Sequence, residues 1–568
     1  MKKLIALLLA VVMIVGLFAA CGEKTPVDDS KPVDTTPAGN DKPVDTTPAG
    51  PTESETYLQL AWFQAMGIDT LFESPHRDKQ SLYPYMIFDS LGYYDSLTGE
   101  YLPGLAESWV VNDELTEFSF TLREGVKWHD GEDFTMDDVL FSVYSAILNP
   151  NSNSVADFRN VVGQAEYVNG ESDTVSGISV DGNTITFKTT IPYAGMLADV
   201  LGVYVLPEHH LADSGYVDVD TDDFWKKPVG TGAYMIDEVH FPDYFTAVRN
   251  DNYWGPKAGI KNVKFTSYNA GGLDAQVAAM LNGELDYIFF CANVDIETAN
   301  LVSMANTVTL NMIPGYNARS LWFNIDTRVD GNNKELLKDK NVRKAIRMLI
   351  NEPALAEFYA GQAATTQLFV PASNAFYNDE IALEADVDVA GAKALLDAAG
   401  WDYDTVIDLA YYYDTTLDHD SMALLVQQCA EAGVKVNAFL LTGDLAAAIY
   451  TDRNYDILYA QAGNSQLNPI DVFKQYSTYA SYTWIGDLEN REKYNALYDG
   501  WYATLDNAER ADIINEIQEL AYDECYGINL FLKDQIELMN HEHFKWPVER
   551  MAAGAGGYYE WDKWEMLH

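Results

Sequence analysis

At 568 residues the chain is long enough for two to four domains with substantial cores. Its 86 acidic against 36 basic side chains leave a formal net charge of -50, which argues against any nucleic-acid partner and for a well-solvated acidic surface. The 4 cysteines are scattered, which excludes a disulfide scaffold, allows at most one intrachain bridge beyond Cys21, and offers no C-x-x-C metal spacing.

Lys2 and Lys3 precede an uninterrupted apolar run from Leu4 to Ala20. This is the order of a secretory signal, so residues 1–20 are an address and not part of the fold. Phe18-Ala19-Ala20-Cys21-Gly22 closes the run and resembles a bacterial lipobox, with Phe18 standing where that pattern usually has Leu. The resemblance implies an exported chain acylated at Cys21 and held on the outer face of the cytoplasmic membrane or in the periplasm. An uncleaved single-span anchor is the alternative, and the run is slightly short for the ~20 residues a span needs. Residues 21–56 form a Pro/Thr/Asp/Gly tract in which the nonapeptide Lys31–Gly39 is repeated as Lys42–Gly50. Having almost nothing to bury, such a tract is expected to be a flexible linker.

From Tyr57 onward the chain reads as globular, with no further membrane-spanning run. Thr135 followed by Asp138 predicts a capped helix, and Asp181-Gly182 between Ile178–Val180 and Thr184–Lys188 predicts a hairpin with a two-residue turn. Apolar spacing predicts helices over Asn341–Tyr359, Val389–Ala399, Met422–Ala432 and Ala508–Tyr522, with Gly400 and Gly433 as stops. Strands and helices mix without regular alternation, so the fold class is α/β in the mixed α+β sense.

Enzymatic motifs are absent. Gly463–Leu467 lacks the second glycine of a nucleophile elbow, His541-Glu542-His543 spaces its histidines by two where a helical zinc motif needs four, and Val229–Gly232 is no phosphate loop. Asp218, Asp220 and Asp222 match three calcium-loop positions, but Asp223 and Val229 stand where Gly and Glu are needed, so a solvated acidic loop is expected. His209-His210 after Pro207-Glu208 reads as a loop or helix-start feature. Neither a metal nor a cofactor is expected.

The longest informative block is Gly104–Trp109, then Phe118–Gly131, then Asp133–Ser142. It resembles the signature of bacterial extracellular solute-binding proteins of family 5, the dipeptide, oligopeptide and nickel binding group. Pro228–Tyr234 (P-x-G-T-G-x-Y), Asn252–Gly255, Ala278–Asp286, Leu321–Asn324 with Val342–Ile346, and Ala392–Trp401 follow in the family's order. The likeness covers 57–568.

The resemblance implies a two-lobed periplasmic-binding-protein fold (type II, cluster C) with a subdomain inserted in the first lobe. Carried over, the first lobe is 57–97, 224–312 and 536–568, the inserted subdomain 98–223, and the second lobe 313–535. It also implies a non-enzymatic role: the substrate-binding component of an ABC importer, capturing a solute by lobe closure for a membrane permease driven by a separate ATPase. A peptide is the expected solute, with an oligosaccharide or metal chelate as the alternative. A surface hydrolase or adhesin is more remote. Peptide binders of the family supply an Asp for the ligand's ammonium in a segment resembling Ala460–Pro469, where this chain has Asn464 and Ser465. Glu73 or Asp295 could supply that charge instead. Trp62, Trp322, Tyr482 and Trp484 are candidate ligand surfaces, against ordinary core packing. Arg319 could meet a ligand carboxylate, although an ordinary salt bridge is the plainer expectation.

Overall fold

The computed structural model describes residues 56–567 except 63–71, 77–81, 96–99, 153–157, 292–300, 314–317, 382–386, 463–468, 477–489, 548–558 and scattered shorter stretches, Glu73 among them. The signal-like run, Cys21 and the repeats lie outside the described residues.

The chain opens with β1 (Leu58–Trp62), forms a ribbon from β2 (Gly92–Asp95) and β3 (Glu100–Pro103), and then builds a four-stranded antiparallel sheet. That sheet contains β4 (Ala106–Val111), β5 (Glu117–Leu122), β6 (Ile178–Asp181) and β7 (Thr184–Lys188), in the order β4-β5-β7-β6. β5 alternates as a one-sided strand should: Phe118, Phe120 and Leu122 are buried, while Ser119 and Thr121 bond across to Thr186 and Thr184 on the other face. Helix α1 (Met136–Leu148) lays Val139, Val143, Ala146 and Ile147 onto the same core. Asp138 reaches back to accept the Thr135 amide at 2.8 Å, completing the expected cap. The hairpin forms one residue later than its dipeptide suggested. Asp181 still pairs with Thr184, so the turn is Gly182-Asn183, with Gly182 at φ 58°.

β8 (Tyr234–His240), β9 (Tyr244–Arg249), β10 (Asn262–Ser267), helix α2 (Gly272–Leu281), β11 (Tyr287–Cys291) and β12 (Val308–Ile313) return the chain to β1. The turn before β8 explains its two glycines: a Cβ on Gly230 would fall 1.8 Å from the Ile87 carbonyl oxygen, and one on Gly232 2.5 Å from that of Met86. This close approach lets Thr231 donate to the buried carboxylate of Asp89, which also receives Tyr93, Tyr253 and Trp254. The P-x-G-T-G and N-Y-W-G pieces therefore meet at one acid, and their role is structural.

A second large sheet follows: β13 (Ala318–Phe323), β14 (Ala363–Ala364), β15 (Val406–Tyr411), β16 (Lys435–Leu440), β17 (Ile457–Ala462) and β18 (Gly527–Lys533), ordered β14-β18-β13-β17-β15-β16. Its helices are α3 (Lys340–Arg347), α4 (Val389–Ala399), α5 (Thr416–Glu431), α6 (Arg491–Tyr502) and α7 (Asn507–Glu524). The helix expected over 341–359 is broken. Asn351 caps a new start by accepting the Ala354 amide, and Pro353 cannot extend the old helix, so a separate turn covers Glu352–Ala356. Conversely α5 begins six residues before the expected Met422, because Thr415 caps it through the Asp418 amide. The chain then adds β19 (Gln535–Asn540) to the first large sheet, whose order is β12-β19-β11-β1-β10-β9-β8, before a short closing pair of strands, Phe544–Lys545 and Glu565–Met566. Each large sheet carries its own apolar core. Cys429 and Cys525 are both buried and unbridged. Asp220 accepts from Asn149 and Asp222 caps Phe224, so the acidic loop is occupied by local bonds. Among the described residues no helix is long and apolar enough to cross a membrane.

Candidate functional site

In the seven-stranded sheet β1, β10, β11 and β12 run in one direction, and in the six-stranded sheet β15, β16, β17 and β18 do so. The chain passes between the sheets twice, from β12 to β13 and, through Asp534 alone, from β18 to β19. Both crossings join the carboxyl edge of one sheet to the carboxyl edge of the other. In open α/β sheets that edge is where ligands bind, since loops leave the strands there and helix N-termini point to it.

Arg319 stands at this edge, second in β13, where the pairing with β18 slips by a bulge between Arg319 and Ser320. A bulge re-aims side chains, and here it accompanies a charge turned inward. Arg319 is only 5% exposed. Its Nη1 donates to Gln461 Oε1 at 3.1 Å, its guanidinium lies 3.7 Å from the centre of the Tyr413 ring, and its Nε has no hydrogen-bond partner. The ordinary salt bridge expected for Arg319 is not made among the described residues: an amide and a ring face hold it instead. Lys533, the last residue of β18, is close enough to feel that charge. Burial, and then the Arg319 guanidinium, push its ammonium down to about 8, with Asp418 opposing. Asp418, in the first turn of α5, is buried and accepts from Tyr459 at 3.3 Å and Tyr359 at 3.4 Å. The edge of the six-stranded sheet thus holds two cations and one acid in a tyrosine-lined setting.

The other large sheet holds a buried acid near the start of β19. Glu537, third in β19, is 2% exposed. Burial pushes its carboxyl up to about 8, with the nearby Tyr287 hydroxyl opposing, and its Oε2 has no hydrogen-bond partner among the described residues. Lys533 and Glu537 are four residues apart, a reach of at most about 14 Å along extended chain.

Of the residues singled out from sequence, only Arg319 belongs to this cluster. Trp322 is a correction: it is 2% exposed on the other face of β13, packed against Phe369 and Tyr476, so its ring serves the core and offers no ligand surface. The Trp62 backbone ends β1 opposite Ser267 at the carboxyl edge, but its side chain lies outside the described residues. Glu73, Asp295, Asn464, Ser465, Tyr482 and Trp484 also lie outside them. Lys533, Glu537, Gln461 and Tyr413 were not singled out from sequence. A sequence signal existed for Lys533, which closes the apolar run Gly527–Leu532 as its first charge; none marks Glu537, which sits at an inward position of an alternating strand.

Residues 100–484 match the model described as bacterial extracellular solute-binding proteins, family 5, middle. The chain is 28% identical over 324 residues to the dipeptide-binding protein of Escherichia coli K12, a match covering 55% of this chain and 57% of that one. It thus spans little more than half the length of that relative. Among solved structures, a putative peptide-binding protein AppA of Clostridium difficile superposes with a TM-score of 0.74 at 17% identity, covering 90% of this chain and 100% of that one. Lactococcal OppA, complexed with an endogenous peptide in the closed conformation, gives 0.71 at 19% identity, covering 89% and 99%. The fold is the two-lobed one of periplasmic binding proteins. The chain belongs to the bacterial extracellular solute-binding proteins of family 5.

Proposed function

We propose that this protein is the extracellular substrate-binding component of an ABC importer and that its solute is a short peptide with a free carboxylate. The observation that carries the solute class is Arg319. Arg319 is buried with its Nε unbonded and with no salt bridge among the described residues; burial opposes its charge, and the surrounding tyrosines and Asp418 favour it. A ligand carboxylate arriving at this edge can take up the open Nε donor through a short, charge-assisted hydrogen bond. Glu537 is the described acid placed for an ammonium at the other end, where the Asp of peptide binders is replaced by Asn464 and Ser465. An uncharged oligosaccharide would bring no carboxylate to Arg319.

In this reading the seven-stranded sheet belongs to a first lobe of 57–97, 224–312 and 536–568, the four-stranded sheet to an inserted subdomain of 98–223, and the six-stranded sheet to a second lobe of 313–535. The two crossings form the hinge. Closure places both carboxyl edges around the ligand and is driven by the ligand's better binding to the closed state. The permease and ATPase are separate chains, and no bond is made or broken here. Acylation at Cys21 with the 21–56 tract as tether keeps the trap near its permease.

Native mass spectrometry of the ectodomain identifies a co-purified solute by mass, and a thermal-shift screen ranks candidates, since a ligand of the folded state raises stability. Free-acid peptides should shift the melting temperature. Their C-terminal amides should shift it less, and the difference should vanish in Arg319→Met. A shift with neutral oligosaccharides and none with any peptide would refute the peptide assignment.

A further inference from the structure

Two histidines set aside as a helix-start feature converge with an acid from elsewhere in the chain. Asp130 lies in the tight turn after β5, closed by the Gly131 amide on the Trp128 carbonyl. Its Oδ1 accepts the Glu132 amide at 3.2 Å, which turns Oδ2 toward the helical turn 208–211. There His209 Nε2 lies 3.1 Å and His210 Nε2 2.8 Å from the same Oδ2. Ligand atoms of all three lie within 4.8 Å of one another.

The arrangement is held from behind. His129 fastens the loop by accepting the Gly230 amide at its Nδ1, with Nε2 3.0 Å from the Gly232 carbonyl, so it is not available as a ligand. Asp138 accepts the Glu208 amide at 2.9 Å and the Trp128 indole N–H at 3.3 Å, tying the two segments to the start of α1. The His209 ring packs edge-on to Trp128 and His210 against Phe224. Two imidazole nitrogens and a carboxylate oxygen are thereby pre-positioned from segments 79 and 80 residues apart.

Ligand atoms 2.0–2.2 Å from one ion stand about 3.0–3.5 Å from each other in octahedral or tetrahedral geometry, close to the 3.1 and 2.8 Å that separate Asp130 Oδ2 from the two histidines. Two neutral imidazoles and one carboxylate are a donor set for borderline divalent ions, and too nitrogen-rich for calcium or magnesium. The side chains are 29%, 39% and 29% exposed for His209, His210 and Asp130, so an ion can enter and keep water on its remaining positions. We propose that Asp130, His209 and His210 form a binding site for a divalent transition-metal ion of the zinc and nickel class. It joins the loop after β5 to the helical turn 208–211. None of the three residues belongs to either large sheet, so the site is separate from the solute-binding edge.

The test uses the full folded ectodomain without a histidine tag, stripped with chelator and titrated calorimetrically with zinc chloride and with nickel chloride. Saturable binding of one ion per chain is expected, weakened at least about tenfold in His209→Ala, His210→Ala and Asp130→Asn, because loss of a direct ligand costs no less than loss of a supporting one. Zinc should raise the melting temperature of the wild type and leave that of His209→Ala/His210→Ala unchanged. That variant should melt like wild type in EDTA, which shows that it folds. Binding retained in the double variant but lost in His541→Ala, or no saturable heat in the wild type, would overturn the assignment.

Discussion

Lys533 offers a direct test of the solute-binding edge, because its charge should be conditional. Burial and Arg319 lower its pKa from the ordinary 10.5 to about 8, a bias of roughly 3 kcal/mol against the ammonium. In the ligand-free fold Lys533 binds fewer protons than in the unfolded chain between pH 8 and 10.5. Its contribution to stability therefore increases with pH across that window. Binding runs the other way. A carboxylate beside Lys533 favours the ammonium, so the complex takes up a proton, and affinity falls by up to tenfold per pH unit above about 8. If the ligand restores the ordinary pKa in full, the total loss approaches roughly 300-fold. Isothermal titration of an identified peptide at pH 7, 8, 9 and 9.5, in two buffers of different ionisation enthalpy, reads both affinity and proton uptake. The peptide's own amine titrates at about 7.7–8.0, so Lys533→Met is measured in parallel. The ratio of wild-type to variant affinity should be largest at pH 7 and fall steadily above 8. A ratio constant from pH 7 to 9.5 would refute the placement of Lys533 against a ligand anion.

Glu537→Gln should separate stability from function. The folded carboxyl, raised to about 8, keeps a proton that the unfolded one has released above 4.5, so it costs stability increasingly as pH rises through that window. The amide should flatten this dependence and gain up to about 3 kcal/mol at pH 7 in chemical denaturation, while binding of free-amine peptides weakens; unchanged peptide affinity would remove Glu537 from the site. Gly230→Ala drives a methyl into the Ile87 carbonyl 1.8 Å away and should lower stability by about 3 kcal/mol or more, read from the denaturation midpoint. Arg328→Met removes the guanidinium that donates to Asp456 at 2.8 Å and Asp408 at 3.0 Å. Stranding the buried Asp456 should cost about 3–5 kcal/mol at pH 7, and less as the pH is lowered, because burial already raises the Asp456 pKa and a proton removes its charge.

What could be read from the sequence follows the range of the interactions concerned. The capped start of α1, the stop at Gly400 and the hairpin near Gly182 rest on contacts a few residues apart, and each is visible in its own segment. The Asn351 cap and the Thr415 cap were equally local, yet an unbroken apolar period hid the first and a later, stronger period the second. The family motifs were legible as wording but not as physics. Gly230 and Gly232 are required by the backbone of residues 86 and 87, and Thr231, Tyr253 and Trp254 by Asp89, across separations no local pattern encodes. Trp322 illustrates the same limit from the other side: an aromatic beside a candidate charge reads as a ligand surface, but strand alternation sends Arg319 and Trp322 to opposite faces of β13.

The proposed binding edge is harder to read because its groups come from segments far apart in sequence. Sequence shows that Arg319 exists among 86 acidic side chains, which makes an ordinary salt bridge the natural expectation. Folding instead surrounds it with Gln461, Tyr413, a second cation and Asp418, none of them in a salt bridge to it, while Glu537 is buried on the neighbouring sheet. In the proposed reading, Arg319 and Glu537 stand on two sheets joined by two crossings, so a zwitterionic solute brings a carboxylate to one and an ammonium to the other, and closure around it is the state in which both contacts form.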